Sequence, residues 1–77
     1  MYSISIDQDV QDGYAPVTDL ETARAAVAGT EITIVEADGV DGSWLAELPK
    51  GLIEEMKALG SFDLQNGEYA IFGDWAE

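Results

Sequence analysis

Hydrophobic and polar positions alternate at the start of the chain. Tyr2, Ile4 and Ile6 interleave with Ser3, Ser5 and Asp7, the period of a strand with one buried face. A polar stretch, Gln8–Gly13, reads as a loop. Thr18-Asp19-Leu20-Glu21 then has the form of a capping box, in which the Thr hydroxyl and Glu carboxylate satisfy free amides of a first helical turn. The helix is expected to run to about Ala28 and stop at Gly29, with Leu20, Ala23 and Val27 on its inner face.

Glu31–Val35 is β-branched and reads as a central strand, followed by a turn over Ala37–Gly42. Leu45, Leu48, Leu52, Met56 and Leu59 recur at three- and four-residue spacing and predict a second helix ending at Gly60. Pro49 divides its start, so Ser43–Leu48 is either a short turn or the first part of a bent helix. In the last third, Phe62, Leu64, Tyr69 and Ile71 flank Asn66-Gly67, the signature of a two-residue type I′ hairpin. That register sets Leu64 opposite Tyr69 and Phe62 opposite Ile71. It sends Asp63, Gln65, Glu68 and Ala70 to the other side.

The expected fold is α+β, one domain over residues 1–77, ordered β-α-β-α-β-β. A four-stranded sheet carries both helices on one face and ends in a C-terminal hairpin. A strand–helix–strand unit makes the first two strands parallel. The loops at Asp9–Gly13 and Asp38–Gly42 would then leave the same end of the sheet. The uncovered face would carry Ser3, Ser5, Thr33, Asp63, Gln65 and Glu68.

Composition narrows the chemistry. Of 77 residues 47% are apolar, which suits a folded domain rather than an acidic disordered tail. No long apolar run is present, and Met1–Asp7 lacks the basic and apolar regions of a signal peptide. A cytoplasmic location and no membrane partner are expected. Cys and His are both absent, which removes disulfides, thiolate chemistry and the commonest general base. Paired carboxylates could still do acid–base work, but they need a pocket that raises one pKa, and so short a chain has little interior to build one. An enzyme is therefore not expected.

Sixteen Asp and Glu against three Lys and Arg give a net charge of −13. Three cations make no basic groove, so direct binding to nucleic acid is not expected. Asp19, Glu21, Glu54 and Glu55 have ordinary roles on helices, beside Arg24, Lys50 and Lys57. Residues 25–49 and 58–77 hold the uncompensated acids. Asp7, Asp9, Asp12, Glu36, Asp38 and Asp41 would form one rim, joined by Asp63, Glu68 and Asp74 from the hairpin. Tyr14, Trp44 and Trp75 are candidate apolar anchors, although Trp44 at a helix start reads better as core. Trp75 sits in a polar segment and is kept with the partner-binding set.

Three readings fit this excess. A negative surface could occupy a groove built for phosphates: same-face residues on a strand repeat at about 6.7 Å, close to two steps of about 3.4 Å along a DNA strand. A calcium site is suggested by Asp7, Asp9 and Asp12-Gly13, but an EF-hand loop counted from Asp7 has Gln11, Asp12 and Thr18 where a ligand, Gly and Glu belong. Adaptation to high salt would make the charge silent about partners. No cofactor or metal is assigned.

A small acidic α+β domain without His or Cys resembles the phage-encoded DNA-mimic inhibitors, the small anti-CRISPR proteins among them. Asp7, Asp9, Asp12, Glu36, Asp38, Asp41, Asp63, Glu68 and Asp74 carry the resemblance, which is one of type over the whole chain without a shared motif. It implies a non-enzymatic inhibitor that blocks a cationic nucleic-acid-binding site of a basic protein or nucleoprotein complex, such as the effector subunits of a CRISPR surveillance complex. It would act as a monomer or small homo-oligomer. Inhibitors of restriction or repair enzymes and antitoxin-like interaction modules share the same composition.

Overall fold

The computed structural model describes residues 1–40 and 42–75. Eight elements follow in order: β1 (Tyr2–Val10), β2 (Gly13–Pro16), α1 (Leu20–Ala26), β3 (Thr33–Ala37), β4 (Ser43–Glu47), α2 (Lys50–Leu59), β5 (Ser61–Asn66) and β6 (Tyr69–Asp74). The chain is a small α+β domain with two helices, as expected. The sheet differs: it has six strands rather than four, in the order β3-β4-β1-β6-β5, with β2 beside β1. Every strand pairing is antiparallel.

Two segments account for the extra strands. The presumed loop Gln8–Gly13 continues β1 to Val10, turns over Gln11-Asp12 and returns as β2, with Asp9 opposite Tyr14 and Asp7 opposite Pro16. Ser43–Glu47 is a strand and not a helix start, because Trp44, Ala46 and Leu48 alternate as buried residues with Ser43, Leu45 and Glu47. β4 lies between β1 and β3, so the first and second expected strands run in the same direction without touching. The expected central strand at 31–35 begins two residues later and is an edge strand with a bulge at Ile34/Glu36.

Helix α1 is capped by Asp19 rather than Thr18. The Asp19 carboxylate accepts from Thr22 N at 2.9 Å and from the Thr22 hydroxyl at 2.8 Å. These bonds favour its charged form and hold its pKa below the usual 3.8. Ala23, Ala26 and Val27 are buried, while Leu20 stays exposed. Helix α2 starts after Pro49 and ends at Gly60, which takes the left-handed conformation.

The hairpin loop is Gly67-Glu68, one residue beyond the expected Asn66-Gly67. Gly67 has φ 63, and Glu68 is not among the positive-φ residues. This is the pattern of a type II′ turn, which wants Gly first. Moving the loop by one residue shifts each partner by two, so Leu64 pairs with Ile71 and Phe62 with Gly73; the strand residues keep their faces, and Glu68 leaves the open face for the turn. Asn66 is released from the turn. Its amide donates to Ala26 O at 2.7 Å and Ala28 O at 3.1 Å, tying the hairpin to the end of α1.

Both helices lie on one side of the sheet. The core joins Ile4, Ile6, Ile34, Trp44, Ala46, Phe62 and Ile71 from the strands to Ala23, Ala26, Val27 and Met56 from the helices. Trp44 is buried, and its indole N–H donates to Val17 O at 3.1 Å. Gly73 is where Phe62 crosses β6: a Cβ there would meet the Phe62 ring at 2.2 Å. No buried side-chain polar atom among the described residues lacks a partner.

Candidate functional site: an uncovered acidic sheet face

The other face of the sheet has no helix over it. Side chains alternate along each strand and cross-strand partners share a face, so the pairings map it row by row. One row reads Glu36, Leu45, Ser3. The next reads Ser43, Ser5, Phe72, Asp63 across β4, β1, β6 and β5. A third reads Pro16, Asp7, Ala70, Gln65, and a fourth pairs Tyr14 with Asp9. Thr33 and Glu47 pair beyond the first row. Asp74, two residues beyond Phe72, faces the same way opposite Ser61.

The expected open-face residues Ser3, Ser5, Thr33, Asp63 and Gln65 are all exposed there. Asp7, Asp9, Glu36, Glu47, Asp63 and Asp74 stand on this face, and the Ser3 hydroxyl donates to the Asp38 carboxylate at its edge. All three cations belong to the helices, on the opposite side. Of the fourteen acids among the described residues, only Asp19, Glu21, Glu54 and Glu55 lie on a helix or its cap. The helix layer is thus almost charge-balanced, and among the described residues ten acids on the strands and loops have no Lys or Arg among them.

The structure does not bring every expected site residue together. Asp12 occupies the β1–β2 turn beyond Val10, whereas the second loop meets β1 at Ser3, bonded to Asp38, and at Ile6, whose N–H donates to Gly42 O, four strand positions or roughly 13 Å short of Val10. The two acidic loops therefore do not merge into a single rim. Glu68 sits in the hairpin turn, where its carboxylate accepts from Gln8 Nε2 at 2.9 Å. Trp75 is on the helix side of the sheet, with its ring 6.2 Å from Tyr2 and Lys57 Nζ 5.8 Å away. Asp41 lies outside the described residues. Sequence reasoning missed Leu45, Glu47 and Phe72 as members of the face. The alternation through Trp44, Ala46 and Leu48 would have placed the first two, and the buried Ile71 beside it would have placed Phe72.

Among the described residues, no three acidic side chains converge on a point where they could hold a metal ion. Asp7 and Asp9 are successive same-face positions of a strand, not ligands on a loop. No described helix is long and apolar enough to cross a membrane. Comparison with protein-family models, with curated proteins and with solved structures gives no match.

Proposed function

We propose that this protein is a non-enzymatic inhibitor that docks its acidic sheet face on the cationic nucleic-acid-binding site of a partner and competes there with DNA or RNA. One observation carries the reading. A whole sheet face is left uncovered and lined with carboxylates, while every Lys and Arg side chain is held on the helices. Carboxylates two residues apart on β1, Asp7 and Asp9, repeat at about 6.7 Å, which approximates alternate phosphates of a nucleic-acid strand. Across the face, Glu36 on β3 and Asp63 on β5 stand four strand spacings apart, roughly 19 Å. The acids therefore cover an area rather than a point. Opposite charges would steer the encounter and make it salt-sensitive. Grooves rich in Lys and Arg on CRISPR surveillance complexes are partners of this kind, as the resemblance to anti-CRISPR proteins implies.

The test is capture from a host lysate at low and high salt, with duplex DNA as competitor. The expected result is recovery of a nucleic-acid-binding protein or nucleoprotein complex at low salt, released by DNA. Reversal of Asp9, Glu36, Asp63 and Asp74 to Lys abolishes capture with the fold intact by circular dichroism, whereas reversal of Glu54 and Glu55 on α2 leaves it unchanged. Equal capture by both variants refutes the proposal.

A further inference from the structure

The chain has seven aromatic residues. Tyr2, Trp44, Phe62, Tyr69 and Trp75 pack in or against the core. The other two, Phe72 and Tyr14, stand on the acidic face, 38% and 59% exposed. Each is the direct cross-strand partner of an aspartate: Phe72 pairs with Asp63, and Tyr14 with Asp9. Directly opposed residues on a shared face hold their Cβ atoms about 5 Å apart. An aromatic surface and a carboxylate are therefore presented side by side, twice. No cation of this chain reaches either pair. The aromatic–cation contact found in the structure, Lys57 against Trp75, lies on the other side of the sheet.

Such a pair suits a guanidinium better than an ammonium. The planar, weakly hydrated guanidinium can lie against an aromatic ring while its fork of N–H donors meets the adjacent carboxylate. An ammonium is a compact, strongly hydrated point charge that gains less from the ring. Building on the proposed acidic docking face, we infer that this face selects arginine over lysine, with Phe72–Asp63 and Tyr14–Asp9 as two guanidinium-recognising pairs. Phe72 is level with Ser5 on one side of β1, and Tyr14 is level with Asp9 on the other. The two pairs are therefore set roughly 16 Å apart along a diagonal of the sheet. The partner is a protein surface carrying two or more arginines at about that separation.

Hexa-arginine and hexa-lysine are matched probes of equal charge, each long enough to span both pairs. Calorimetric titration at low salt, with amide shifts locating the contact, is the experiment. Hexa-arginine is expected to bind about tenfold more tightly, since each exposed ring contributes roughly two- to fivefold. The double variant Phe72→Leu/Tyr14→Leu keeps apolar area but loses both rings. It should bring the arginine-to-lysine ratio below two, weakening hexa-arginine binding by more than it weakens hexa-lysine binding. If that variant does not fold, Asp9→Asn/Asp63→Asn is expected to collapse the ratio equally. Equal binding of the two peptides by the native protein, or a ratio that survives these substitutions, overturns the inference and leaves the acidic face standing. Failure of both peptides to bind, or amide shifts confined to α1 and α2, removes the docking face itself.

Discussion

The two faces of the sheet are made from alternate residues of the same strands, yet they obey different rules. On the covered face Ile4, Ile6 and Ile71, like Met56 of α2 packed over them, are almost wholly removed from water, and identity is set by volume and shape. On the open face Ser3, Ser5, Asp63 and Phe72 hold the same strands at the same spacing while remaining exposed. Stability of the fold is thus concentrated on one face, which leaves the other free to be specified by charge. The compensating cations lie only with the helices, so the separation of the two tasks is also a separation of charge.

The contrast is sharpest at neighbouring positions. Ile71→Ala removes a fully buried side chain and is expected to cost about 2–5 kcal/mol in a denaturant melt, whereas Phe72→Ala next to it should cost less than about 1 kcal/mol. Similar losses at the two positions would show that the open face is part of the core. Gly73→Ala comes next. Its new methyl group would drive into the Phe62 ring, and overpacking of this kind costs about 1–3 kcal/mol.

Charge effects are smaller and depend on salt. Asp63→Ser relieves repulsion within the acidic face and should raise the melting temperature at low salt, with the gain fading as screening increases. Glu55→Ser on the nearly balanced helix layer should not. Equal responses would mean that the charge asymmetry has no energetic reality. The smallest expected effect is at Asp19. Its pKa is lowered by the bonds from Thr22, so its stabilising contribution is complete above the ordinary carboxylate value and is lost as pH falls through the lowered one. Asp19→Ala should therefore melt earlier than the native protein near neutral pH, with the difference closing in acid.

The sidedness of the molecule was legible in the sequence, and its connectivity was not. Alternation in Tyr2–Asp7 and in the hairpin assigned each residue to its face, because a period of two survives an error in register. The hairpin itself was placed one residue early, because Asn66-Gly67 satisfies a type I′ turn as well as Gly67-Glu68 satisfies type II′, and only the tie from Asn66 to the end of α1 separates them. Ser43–Glu47 is ambiguous in sequence because Leu45, Leu48 and Leu52 also fit a helical spacing, while the strand is revealed only by the alternation of Trp44 and Ala46. Polarity hides β2: Gln8, Asp9 and Gln11 look like a loop, yet they belong to a β1–β2 hairpin whose end, Asp9–Tyr14, is exposed on both faces and has little apolar surface to bury. The acid-rich character of the site was visible from composition. Its layout over a face, rather than a rim, depends on β4 separating β1 from β3.

Strand β1 is the first element of the chain, and its long-range neighbours come from residues 43–46 on one side and 69–73 on the other. Contacts so distant in sequence slow folding, because the intervening chain must be ordered before they form. On the ribosome, at about 5–20 residues per second, β1 waits for several seconds with its β6 edge unpaired. An exposed strand edge invites pairing between chains. The serines and aspartates alternating along β1 break up its apolar character and make two such chains repel one another. The same residues that line the acidic face therefore disfavour pairing between β1 edges of separate chains while β6 is absent.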